Sequence, residues 1–223
     1  MKNLALLLLL VLSSPAQAQQ AGELRLDTLK GENVEVNFAK YQGQDCLSVR
    51  AKKLPRQRGR EYLAIFSEIE FTDGIIELEV AGKPLSTAGG MARGFIGVAF
   101  RVNKDDPKNY EAFYIRPTNG RAEDQLRRNH SVQYISHPNY TWNKLRKESP
   151  GQYESYADLV PGEWTKLKVV VKGTDARLFV GGAEQPCLIV KDLKRGTSKG
   201  AIALWIEPST DAYFRGLRVQ HAE

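Results

Sequence analysis

Apolar and polar residues alternate with a period of two along much of the chain. Ile76, Leu78 and Val80 alternate with Glu77 and Glu79, and Leu167, Val169 and Val171 with Lys166, Lys168 and Lys172. Successive side chains of a strand point to opposite faces, so each segment has one dry face and one wet face. The same pattern predicts strands at 33–38, 45–51, 61–66, 94–102, 109–116, 175–181, 187–190, 200–206 and 211–219, most of them bounded by Gly, Pro, Asp or Asn. The turn residues Gly173-Thr174-Asp175 between two such runs predict a hairpin. Helical periodicity is close to absent. Many short strands with close-set turn signals predict an all-β fold, a sandwich or a barrel.

One stretch breaks the rhythm. Residues 117–160 carry Arg121, Arg127, Arg128, His130, Tyr134, His137, Tyr140, Trp142, Arg146, Tyr153 and Tyr156, with only a brief strand-like patch at 132–135. A long irregular insertion in a compact domain is functional or disordered. Aromatic residues argue against disorder. The expectation is a packed, site-forming loop.

The N-terminus has Lys2, an apolar run from Leu4 to Leu12, then Ser13-Ser14-Pro15 and Ala16-Gln17-Ala18. That order predicts a signal peptide over residues 1–18, cut after Ala18. The apolar run is about half the ~20 residues that span a bilayer. Residues 19–223 are then expected as a single β-sandwich domain, secreted or periplasmic and not inserted in a membrane. The formal charge is +6 and the pI about 9.2, a surface that attracts anions. No nucleic-acid-binding module is present and export points the same way, so nucleic acid is not an expected partner. Cys46 and Cys187 enter an oxidising compartment as either one disulfide or two buried thiols.

Candidate chemistry begins with the strand around Ile96. Ile96, Val98 and Phe100 fall on one face, and Phe95, Gly97, Ala99 and Arg101 on the other. Small residues on an outward face leave room for a ligand, with Arg101 at its edge to hydrogen-bond it. The segment Tyr110-Glu111-Ala112-Phe113-Tyr114-Ile115-Arg116 is apolar on both faces and is expected at the centre of its sheet, with Glu111 pairing Arg101 across strands. A sugar has an apolar face and a rim of hydroxyls, which suits aromatic platforms and planar hydrogen-bonding side chains. The candidate ligand-binding residues are Arg101, Glu111, Arg116, Asn119, Arg127, His130, Tyr134, Tyr140 and Trp142. Trp205, Gln125 and Gln133 are of the same types, whereas Trp164 and Phe214 are expected in the core. Glu111 and His130 are the candidate acid and base.

Other chemistry finds little support. There is no Gly-x-Ser-x-Gly elbow and no phosphate-cradling glycine loop. His130 and His137 lack a third ligand at metal spacing, so no metal site is expected. Asp105-Asp106-Pro107-Lys108-Asn109 reads as a turn, with a weak case for structural calcium. No other cofactor is implied. Glu77 and Glu79 share the wet face of one strand and are expected in solvent, not as a glycosidase pair.

Five fragments in order carry a resemblance: Phe71-Thr72-Asp73-Gly74-Ile75-Ile76-Glu77, Gly97-Val98-Ala99-Phe100-Arg101, Tyr110-Glu111, Gly162-Glu163-Trp164-Thr165-Lys166-Leu167-Lys168, and Asp211-Ala212-Tyr213-Phe214-Arg215-Gly216-Leu217-Arg218-Val219. From about Phe71 to Val219 the chain resembles the concanavalin A-like lectin/glucanase superfamily, and more narrowly the secreted laminin-G-like proteins grouped with the 3-keto-disaccharide hydrolase family. The resemblance implies a jelly roll of two antiparallel sheets that holds sugar on its concave face, where Arg101 and Glu111 match the family's Phe-Arg and Tyr-Glu positions. Hydrolase-like members commonly carry Gln two residues after that Glu, where this chain has Phe113. The glucanase signature Glu-x-Asp-x-x-Glu is absent. The expected function is therefore a secreted lectin-like domain binding carbohydrate. The alternatives are a glycoside hydrolase acting on a disaccharide or 3-keto sugar, and an envelope protein-interaction domain.

Overall fold

The computed structural model describes residues 29–53 and 59–222; the expected signal peptide over residues 1–18 lies outside them. Two seven-stranded sheets pack face to face. The first runs in the order β1 (Leu29–Glu32), β4 (Leu63–Phe71), β13 (Gly200–Ile206), β6 (Ile96–Val102), β7 (Tyr110–Ile115), β8 (Val132–His137), β9 (Glu154–Ser155). The second runs β12 (Leu188–Val190), β11 (Asp175–Val180), β10 (Thr165–Lys172), β5 (Gly74–Pro84), β14 (Thr210–His221), β3 (Gln44–Ala51), β2 (Val34–Tyr41). Every neighbouring pair is antiparallel.

The alternation read from the sequence sets this packing. Leu167 and Val169 of β10 pair with Leu78 and Ile76 of β5 on the dry face, while Lys166 and Lys168 pair with Glu79 and Glu77 on the wet one. Opposite charges directly across a strand pair add a few tenths of a kcal/mol each, up to ~1 kcal/mol. The β10–β11 hairpin closes on Gly173-Thr174, with Gly173 at φ 59°. Phe66, Val98, Phe100, Phe113 and Leu204 of the first sheet meet Leu47, Ile76, Leu78, Val169 and Phe214 of the second in the core. Trp164 departs from expectation. It is half-buried, edge-on to Tyr41 at 5.8 Å, with the Arg215 guanidinium 4.6 Å above its ring.

The 117–160 segment is more ordered than a loop. It contains a 3-10 turn at Pro117–Asn119, the helices α1 (Gln125–Asn129) and α2 (Trp142–Glu148), and two strands, β8 and β9, that widen the first sheet beyond β7. Strand β8 is buried on both faces, so it carries no alternation to reveal it.

The two cysteines do not pair. Cys46 lies on β3 and Cys187 next to β12, with β11, β10, β5 and β14 between them in the second sheet. At ~4.8 Å per strand they are on the order of 20 Å apart, whereas a disulfide needs Cα atoms within ~7 Å. Both thiols are free. Burial pushes the Cys187 thiol up to about 11. Among the described residues no helix is long and apolar enough to cross a membrane.

Candidate functional site

Residues paired across a sheet share a face. Leu204, Val98, Phe113 and Tyr134 form a row on the inner face of the first sheet, against the second sheet. The next row, Trp205, Gly97, Tyr114 and Gln133, lies on the outer face. A Cβ on Gly97 would stand 2.1 Å from the Phe113 carbonyl oxygen and 2.6 Å from Tyr114 Cα. With no side chain there, the rings of Tyr114 and Trp205 reach over Gly97 and stack, centroids 4.6 Å apart at 21°. The space predicted for a ligand beside Gly97 is filled by these two rings.

A hydrogen-bonded chain continues from this floor. Trp205 Nε1 donates to the Tyr110 hydroxyl at 3.0 Å, and that hydroxyl donates to Glu61 Oε2. His137 Nδ1 is 2.9 Å from Glu61 Oε1, and its ring stacks on Tyr110 at 5.0 Å. Burial first, then the Glu61 carboxylate, hold the Tyr110 phenol well above its usual value, so it stays a donor.

At the far end of the outer face Arg116 is 5% exposed. It donates to the His130 carbonyl at 2.8 Å, the Tyr114 hydroxyl at 2.7 Å and Gln133 Oε1 at 3.1 Å. Glu154, which pairs with Gln133, accepts from Arg146 through both oxygens at 2.6–3.1 Å. His130 Nδ1 faces Glu154 Oε2 at 2.8 Å but out of line, which leaves that buried nitrogen without a hydrogen bond. Burial lowers the His130 pKa, and Glu154 only partly opposes it. Asp124 caps α1 by accepting from Arg127 N at 2.6 Å. The Arg127 guanidinium reaches Asn119 Oδ1 at 3.0 Å and Thr118.

Two cavities open here, and Trp142 and Glu207 stand in the wall of both. One, of about 710 Å³, has Glu61, Tyr62, His137, Asn143 and Trp205 in its wall. The other, of about 730 Å³, has Arg93, Phe95, Arg116, Asn119, Arg127, His130 and Arg146, with Met91 and Leu126 at its edge. Both volumes lie within the ~300–1,000 Å³ of ligand pockets. Trp142 is 47% exposed, with the Arg146 guanidinium 4.9 Å over its ring.

Five of the residues singled out from the sequence, Arg116, Asn119, Arg127, His130 and Trp142, meet around the second cavity. Arg101, Glu111 and Tyr134 are elsewhere. Ala203 pairs with Ala99 but Ala201 with Val102, so Phe100 and Arg101 together face Ile202 in a β-bulge. Arg101, at φ 53°, is thereby turned inward and is fully buried. It donates to Thr72 O at 3.0 Å, Asp73 Oδ1 at 2.9 Å, Gly173 O at 2.8 Å, Gly196 O, and Glu111 Oε2 at 3.4 Å. Glu111 Oε1 accepts from the Tyr134 hydroxyl at 2.8 Å and Arg195 N at 3.1 Å. Burial raises the Glu111 pKa against the lowering by Tyr134, Arg195 N and Arg101. The expected cross-strand pair exists, but it ties three turns together at the end of the sandwich and faces no open surface.

Tyr140 sits under the ammonium groups of Lys144 at 4.8 Å and Lys194 at 5.4 Å. Glu111 on the inner face and His130 against outer-face Glu154 lie on opposite sides of the first sheet, so they do not flank one bond. The Asp105-Asp106 segment is a turn held by Asn103 Oδ1, which accepts from Asp105 N at 2.9 Å and Asp106 N at 3.2 Å. The pattern reading did not assign Glu61, Tyr62, Arg93, Arg146 or Glu207 to a site.

Solved structures of low identity share this fold. A carbohydrate-binding module from Bacillus subtilis superposes with a TM-score of 0.55 at 15% identity, over 85% of this chain and 93% of that one. A Bacillus subtilis protein of unknown function with a galectin-like fold gives 0.56 at 13% identity, over 88% and 90%. The architecture is a two-sheet antiparallel β-sandwich, a fold shared with a galectin-like chain. No protein-family model and no curated protein matches the sequence.

Proposed function

We propose that this protein is a secreted carbohydrate-binding domain that holds a glycan on the outer side of its first sheet, across Trp142. The observation that carries this reading is the half-exposed indole of Trp142 standing between two cavities with aromatic and planar polar walls. An indole presents a flat apolar face to a sugar ring, while Asn, Arg and Glu side chains meet its hydroxyls. A cavity on each side of that indole suits at least two sugar units. The shared fold of a carbohydrate-binding module supports the reading, and the N-terminal pattern supports export.

Binding is favoured over hydrolysis because Glu111 is spent on structural contacts and lies across the sheet from His130. A small ligand is favoured over a protein partner because Trp142 lines cavities and not a flat patch. The test is calorimetry of residues 19–223 against neutral and acidic oligo- and polysaccharides. Saturable binding to at least one, without release of new reducing ends, is expected. A folded sample that binds none overturns the proposal.

A further inference from the structure

Resting on that reading, we propose that the cavity between α1 and Trp142 receives the anionic group of an acidic glycan, a carboxylate or a sulfate ester. Among the described residues, three guanidinium groups around it make no ion pair with a carboxylate. Arg93 donates to the Gly90 and Ala92 carbonyls, Arg127 to Asn119 and Thr118, and Arg116 to His130 O, the Tyr114 hydroxyl and Gln133. The fourth, Arg146, is matched by Glu154.

Among the described residues, the two acids in the wall make no ion pair with them. The Asp124 carboxylate accepts from the backbone of Arg127, and Glu207 accepts from the Ser209 backbone and hydroxyl. Burial and then repulsion from Arg127 and Arg116 lower the Arg93 pKa. Guanidinium forks match carboxylate and sulfate oxygens two at a time. Met91 and Leu126, 80% and 67% exposed, add apolar surface beside the charges. A sugar ring uses such surface, and a free inorganic anion does not.

The experiment compares polygalacturonate, alginate and hyaluronan (carboxylate arm), dextran sulfate and chondroitin sulfate (sulfate arm), and dextran and arabinan (neutral arm), by calorimetry on the mature chain at two salt concentrations. At least one acidic polymer is expected to bind about 10-fold or more tightly than the neutral ones, and more weakly at high salt. Arg93→Gln and Arg127→Gln should each weaken acidic binding about 10-fold and make it less salt-dependent, while weakening neutral binding much less. Arg177→Gln, which removes the same charge from β11, should change nothing. Neutral glycans bound as tightly as acidic ones would overturn this inference and leave the carbohydrate reading standing; binding to no glycan would overturn both. Acidic binding indifferent to Arg93 and Arg127, or matched by single-stranded DNA of equal charge, would also sink it.

Discussion

Tyr114 and Trp205 stack at 4.6 Å although strand β6 runs between them, because the residue they cross is Gly97. Two rings leaning over a glycine make a closed floor from three strands. The cavity that Trp205 lines opens beside a surface whose shape depends on one missing side chain.

Gly97→Ala tests this directly. Its Cβ would meet the Phe113 carbonyl oxygen at 2.1 Å, a backbone atom with little freedom to move. Overpacking of this kind costs ~1–3 kcal/mol and occasionally more. Urea denaturation is expected to show a loss of about 3 kcal/mol, at the upper end of that range.

Arg101→Ala should damage folding and not recognition. It leaves Glu111 buried without its cationic partner and releases the turns at Thr72, Gly173 and Gly196. Breaking a buried pair from one side costs ~3–5 kcal/mol. Glu111→Gln is the milder variant. It should lower the melting temperature yet bind glycan with unchanged affinity below it; a loss of binding in folded Glu111→Gln would put Glu111 back in the site.

The contrast between Arg101 and Arg116 shows how much was legible in the sequence. Alternation in β5 and β10 was sufficient to predict strands and their wet and dry faces, since it reflects burial directly. Counting residues puts Arg101 on the Gly97 face, and the count fails at a bulge, where one extra residue reverses the side chain. The bulge is defined by the partner strand β13, and no local pattern announces it. Arg127 and His130 stand out because the 117–160 stretch mixes aromatic and cationic residues without period, and Arg116 and Asn119 because planar hydrogen-bonding side chains suit a sugar. Glu61 and Arg93 join the site from distant parts of the chain through tertiary packing alone.

Trp142→Ala is expected to remove most glycan affinity. A central, partly desolvated tryptophan typically contributes ~2 kcal/mol or more, about 30-fold in Kd. Trp142→Phe should recover part of it. The melting temperature should move little, because the indole is 47% exposed.

His130 should make stability depend on pH. Burial holds its pKa below the usual value, so at mildly acidic pH the unfolded chain binds more protons than the folded one. The stability linked to this group is complete above the unfolded value of ~6.5 and declines as pH falls through the lower, folded value. Melting temperatures between pH 7.5 and pH 5 should therefore fall less steeply in His130→Gln than in the parent. Parallel profiles would contradict this.

Cys46 and Cys187, on opposite flanks of the second sheet, give the protein an indifference to redox conditions. The sandwich is closed by side-chain packing and by the Arg101 ties, with no covalent staple to form in order or to lose. Its melting temperature should be the same with and without dithiothreitol. Refolding should need neither an oxidant nor a disulfide isomerase, so the same fold is attainable in a reducing and in an oxidising compartment.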